Sequence, residues 1–149
     1  MPATDAAEQY PFSYVILRAV PSVERGERIN VGVVLFCRQR RFLGIRWEVD
    51  PARLTALEPC PEGLTPGGVG AEIEAHLRAL ARVAEGDPAA GPVAALEQSD
   101  RFGWLAAPSS TIVQPSEVHT GLCEDPAVTL SALFGRLVGW AAPDSAASE

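Results

Sequence analysis

A chain of 149 residues with 47% hydrophobic side chains and a net charge of −7 has the length and apolar content for one folded domain around one core. All twelve basic residues are arginine, which excludes Schiff-base chemistry and phosphate-loop chemistry that depend on a lysine amine. Cys37, Cys60 and Cys123 are far apart and odd in number, so a disulfide framework is not expected and reduced thiols are.

In chain order, the opening "MPATDAAEQ" lacks the basic start and apolar stretch of a secretory signal. No apolar run reaches the roughly 18 residues of a membrane span. A soluble cytoplasmic protein with no membrane association is therefore expected. Residues 1–13 read as a flexible leader, 14–140 as a single α+β domain and 141–149 as a disordered tail. Three strands follow the leader. "SYVILRAV" (Ser13–Val20) and "INVGVVLFC" (Ile29–Cys37) are rich in β-branched and aromatic residues, while "RFLGIRWEV" (Arg41–Val49) alternates so that one face is wet and the other dry. Eight residues link the first two strands and the short turn "RQRR" links the next two, so the cheapest topology is an antiparallel three-stranded meander.

"DPARLTALEP" reads as a short helix capped by Asp50 with Pro51 in its first turn. The Pro- and Gly-rich stretch around Cys60 is loop chemistry. From Ala71 to Glu85 the spacing of Val69, Ile73, Leu77, Leu80 and Ala84 predicts a helix that Gly86 ends. "RFGWL" and "TIVQPSEVHTG" offer short strand-like pieces, the second held to an edge or a turn by Pro115. "EDPAVTLSALFGRLVGW" starts with Asp125 and Pro126 as cap and first-turn residue and predicts a last helix packed on the sheet. The fold class is α+β: an N-terminal antiparallel meander, helices packed on the sheet and short additional strands near the C-terminal half.

Charge is uneven along the chain. Tyr14 to Trp47 holds seven Arg against Glu24 and Glu27, near +5, whereas Glu48 onward holds five Arg against fifteen acids, near −10, and the leader adds −2. Such a split marks either an anion-binding face or two halves that attract one another on folding.

The opening "YVILRAVPSVERGERINVGVVLF", with R-x-V-P followed by R-G-E-R-x-N-V-G-V, and the late "ALFGRLV" resemble a bacterial family catalogued as domain of unknown function 3037. The resemblance runs from about Tyr14 to Val138. It implies no reaction and no catalytic residues. It does imply association, because genes of this type are found beside genes for a kinase-like protein similar to the HipA toxin kinases.

The candidate residues allow three readings. Arg18 shares a strand face with Tyr14, Ile16 and Val20, where a guanidinium needs a carboxylate or an anion; Glu27 is the internal partner the sequence offers. Arg25 and Arg28 would then face outside anions, and Asn30 would satisfy main-chain groups or read a ligand amide. That cluster is either a polar pocket for an anionic metabolite, in a small enzyme or binding domain, or a hydrogen-bonded connection that sets strand register. Arg38, Arg40 and Arg41 form a basic hairpin tip that could meet nucleic-acid phosphates, although the net charge and the lack of a nucleic-acid motif argue for a solvated turn.

Cys37, Cys60, Cys123, His76 and His119 lack paired zinc-ligand spacing, so no metal and no cofactor is assigned. Ser109 and Ser110 lack the G-x-S-x-G context, and no catalytic set is assigned. Trp47 and Trp104 read as core or sheet-face residues, and Trp140 either packs or anchors a partner. The leading expectation is a non-catalytic accessory or regulatory subunit that binds another protein, the HipA-like kinase being the named candidate; self-association stays open.

Overall fold

The stretch YPFSYVILRA has an aromatic, β-branched or aliphatic side chain at most positions, which favours extended backbone. The computed structural model of the chain describes residues 7–57 and 69–139 and forms strand β1 there, Tyr10–Ala19. Strands β2 (Ile29–Cys37) and β3 (Phe42–Trp47) follow. β1 pairs antiparallel with β2, and β2 with β3, which is the expected meander. One boundary differs: Tyr10 to Phe12, read as leader, belong to β1 because Tyr10–Tyr14 pairs with a distant strand near the C-terminus.

That distant strand is β5, His119–Cys123; the three-residue strand β4, Val113–Pro115, pairs with the other end of β1 at Leu17–Ala19. The two lie end to end along one edge of β1, giving a five-stranded sheet of order β3-β2-β1-β4 with β5 also on β1. Pro115 sits in the edge strand, where its missing N–H costs no ladder bond to an outer neighbour. Between β4 and β5 the ladder is carried by Ser116. Its N–H donates to the Ile16 carbonyl at 2.7 Å and its hydroxyl accepts from the Ile16 N–H at 2.8 Å.

β2 is buried at five successive positions, Val31 to Leu35, so both of its faces are covered. The covering helices are α1 (Pro51–Leu57), α2 (Gly70–Glu85), α3 (Gln98–Ala106) and α4 (Pro126–Leu137). On one face Val15, Leu17, Val31 and Val34 pack with Leu54 of α1, Ile73 and Leu77 of α2, and Phe102 and Leu105 of α3. On the other, Phe12, Val33, Leu35 and Cys37 pack with Leu130, Leu133 and Phe134 of α4. A β-bulge between Leu17 and Arg18 lets Val31 turn into the first cluster while Val33 and Leu35 serve the second. Gly32 stands at this bulge because an added Cβ would lie 3.0 Å from the Arg46 carbonyl oxygen.

Two expectations are corrected. The face of β3 read as wet is covered in part by α4: Arg46 is exposed, but its guanidinium donates to Ser131 Oγ at 2.9 Å and lies 5.0 Å from the centre of the Phe134 ring, and Gly44 leaves room for Leu130. "RFGWL" is helical, within α3, because Phe102 and Leu105 are three residues apart and both reach the core beside α2; five residues are too few for the periodicity to declare itself. Trp104 is consequently on a helix and 49% exposed, whereas Trp47 packs against the first cluster.

The helix boundaries follow local chemistry. Asp50 and Asp125 each accept from the amide two residues on, at 3.0 Å, and cap α1 and α4. Gly86 ends α2 in the left-handed region at φ 72°. No helix among the described residues is long and apolar enough to cross a membrane. Cys60 with its loop, Trp140 and the tail 141–149 lie outside the described residues.

Candidate functional site

The charged connection between β1 and β2 is exposed from Val23 to Arg28. Arg25 pairs with Glu27, Nη2 to Oε1 at 2.8 Å and Nε to Oε1 at 2.9 Å, with side chains 55% and 46% exposed. Glu27 is therefore not the partner of Arg18. The physical reason is placement: Gly26, at φ 75°, folds Arg25 and Glu27 together at the exposed tip, while Arg18 stays on β1, opposite Asn30 on one side and Gln114 on the other. Arg18 is half-buried and makes no side-chain hydrogen bond or ion pair among the described residues. Glu24 and Arg28 are exposed.

Asn30 has a structural partner far along the chain. Its Nδ2 donates to the Leu137 carbonyl at 3.0 Å, and Arg53 Nη1 donates to the Val138 carbonyl at 3.4 Å. Both carbonyls belong to the end of α4, where the last turn of a helix has no intrahelical donors. A cavity of about 220 Å³ adjoins this junction, lined in part by Asn30, Glu48, Asp50 and Arg53. Three of those four side chains already bond within the protein, Asp50 as the cap of α1.

The arginine turn after β2 divides across the sheet instead of forming one patch. Arg38 lies over the Phe36 ring at 5.6 Å from its centre, and Arg40 lies over the Tyr10 ring at 5.1 Å. Tyr10 packs with the α4 cluster and Phe36 with the α2 and α3 cluster, so the two guanidiniums serve opposite faces. Arg41 takes a left-handed conformation, φ 51°, and its carbonyl accepts from Gln98 Nε2 at 3.0 Å, which ties the turn to the start of α3.

Strand register then exposes a surface that composition does not announce. Side chains directly opposite across a ladder share a face. Ser13 is opposite both Phe36 and Thr120, and Pro11 is opposite Leu122, so Leu122, Pro11, Thr120, Ser13 and Phe36 lie on the face that α2 and α3 cover further along. At this end the cover stops short. Phe36 is shielded by Phe102, ring centres 5.5 Å apart, but Pro11 and Thr120 are exposed and Leu122 is 63% exposed. A cavity of about 330 Å³ lined by Pro11, Ser13, Phe36, Arg38 and Thr120 adjoins one of about 570 Å³ lined by Phe36, Arg38, Arg41, Glu97 and Gln98. Of these residues the candidates read from sequence include only Arg38 and Arg41. The rest were missed because β5 had not been placed on β1; the one available signal is the alternation in "HTGLC", which sets Thr120 and Leu122 on one face and His119, Gly121 and Cys123 on the other.

The remaining candidates are dispersed. His119 is on β5 and stacks on Tyr14 with ring centres 5.1 Å apart. Cys37 and Cys123 are buried in the α4 cluster. Burial pushes the Cys123 thiol above its ordinary pKa, the neighbouring Cys37 thiol adds to the shift, and Thr129 and Arg40 oppose it. Ser109 bonds to Thr111 in the loop after α3. Among the described residues no group of three His, Cys, Asp or Glu is arranged to hold a metal ion.

The chain is thus an α+β domain in which a five-stranded antiparallel sheet carries helices on both faces and its most distinctive motif performs structural tasks: a turn at Gly26, a tie to α4 at Asn30 and a bulge at Gly32. A family model described as Protein of unknown function (DUF3037) matches residues 14–138, and the chain belongs to that family. Comparisons with curated proteins and with solved structures gave no match.

Proposed function

We propose that the protein is a non-catalytic accessory subunit that binds another protein through the open end of its sheet, with a kinase-like protein similar to the HipA toxin kinases, encoded nearby, as the partner. The observation that carries this reading is the row of Leu122, Pro11, Thr120 and Ser13 on a sheet face that is helix-covered elsewhere. An apolar residue 63% exposed, on the same sheet face as Thr120, Ser13 and the Phe36 ring with its Arg38 guanidinium, has the composition of a docking surface, in which the apolar part supplies affinity and the charges supply orientation. Strand β5 carries no charged residue and no proline of its own, so its outer edge lacks the usual protection against pairing with another chain.

The test is co-expression with the neighbouring gene product, followed by size-exclusion chromatography with light scattering. A stable heteromeric complex that Leu122→Asp weakens supports the reading; Leu122 is exposed, so the substitution leaves the core intact. Separate elution of the two proteins at micromolar concentration, or a complex indifferent to Leu122→Asp, refutes it.

A further inference from the structure

We infer that the occupant of the open sheet face is an extended acidic segment of the partner protein. This inference rests on the docking role proposed above and names the chemistry of what docks.

Arg38 and Arg41 line the larger cavity, and neither guanidinium forms an ion pair among the described residues. Across from them Glu97 is the single acid among the lining residues, so the lining carries a surplus of positive charge that an incoming carboxylate neutralises. Arg38 also lines the smaller cavity and is therefore the shared wall of both. Phe36 stands beside it in the same position, held between Phe102 at 5.5 Å and the Arg38 guanidinium at 5.6 Å. The surface thus sets an apolar element next to a cation at Phe36 and Arg38, with Pro11 and Leu122 beyond them on neighbouring strands. An extended chain presents every second residue to the same side, so a segment with acids at every second position turns its carboxylates together toward the arginines.

A protein segment fits better than nucleic acid. Arg40 is turned to the opposite face over Tyr10, which leaves two cations here instead of three. The chain as a whole carries −7, which repels a long polyanion, whereas a short acidic segment meets the field within about 10 Å of the two guanidiniums.

The test uses the full chain labelled for amide NMR, titrated with a short synthetic peptide alternating Glu with Leu, with its Lys-with-Leu counterpart, and with a single-stranded oligodeoxynucleotide. The Glu peptide is expected to shift the amide signals of Phe36, Arg38 and Thr120. The double reversal Arg38→Glu, Arg41→Glu is expected to weaken it about tenfold, the effect of losing two exposed charge contacts. Both arginines are exposed, and an unchanged spectrum away from the turn confirms that the variant folds. Equal binding of the Lys peptide at the same amides overturns the acidic assignment and leaves the docking role standing. Tighter binding of the oligonucleotide there, or no shift of those amides with any probe, also overturns the inference. Failure of the docking role itself is read separately, from the co-expression experiment.

Discussion

Ser116→Ala removes two hydrogen bonds, one of them to a buried main-chain amide. The Ser116 hydroxyl accepts from the Ile16 N–H at 2.8 Å and donates to the Glu117 carbonyl at 2.9 Å, in a side chain only 5% exposed. Ile16 is itself buried, at the centre of β1, at the point where the edge passes from β4 to β5. Alanine keeps the main-chain bond from residue 116 to the Ile16 carbonyl and removes the acceptor for the Ile16 N–H. The Glu117 carbonyl loses its donor too, but it lies in an exposed residue where water replaces the bond. The cost is therefore that of one buried unsatisfied amide, about 2 kcal/mol within a usual range of 1–3. In a domain of this size that lowers Tm by roughly 4–8 °C. Urea unfolding followed by far-UV circular dichroism gives the free-energy difference, and native-state hydrogen exchange reads the Ile16 amide directly. Ser109→Ala, at an exposed loop position, is the control and should be near neutral. If Ser116→Ala costs less than about 0.5 kcal/mol, or if the Ile16 amide keeps its protection, the hydroxyl is not the acceptor that completes this edge.

Asn30→Ala removes the donor at 3.0 Å from the Leu137 carbonyl and should cost about 1–2 kcal/mol by urea unfolding; a loss below about 0.3 would mean that the tie between the first hairpin and α4 carries no stability. Arg25→Ala breaks an ion pair whose partners are 55% and 46% exposed, so the loss should stay under about 0.5 kcal/mol, and a value above about 1 would assign the turn a role beyond its own pairing. The pKa of the Cys123 thiol is raised by burial, with Cys37 adding to the shift, which places the folded-state value above the unfolded one. The neutral thiol's contribution is then complete below the ordinary value of 9.0 and is lost as pH rises through the folded value. The stability difference between wild type and Cys123→Ala should accordingly shrink as pH rises past the ordinary thiol value, and a difference that is flat or grows there contradicts the assigned direction.

Strands β1 to β3, helices α2 and α4 and both aspartate caps are legible in the sequence because each rests on local chemistry. Runs of β-branched residues, a helical period over four turns, an Asp-Pro start and a Gly stop act within a few residues of where they are written. The role of Gly26 is legible for the same reason. The pairing of Arg25 with Glu27 in place of Arg18 is not, because it depends on which way a turn carries its side chains. Nor is α3, whose short sequence becomes helical once Phe102 and Leu105 have a core to enter. Asn30 names a polar group in need of a partner, but its partner is the end of a helix 107 residues away. The open face is further still from the sequence. It exists because β5 pairs with the first half of β1, where α3 no longer reaches, and so brings Thr120 and Leu122 beside Ser13 and Pro11. Local propensity decides what an element is, and only the long-range pairing of strands decides which of its faces is left without cover.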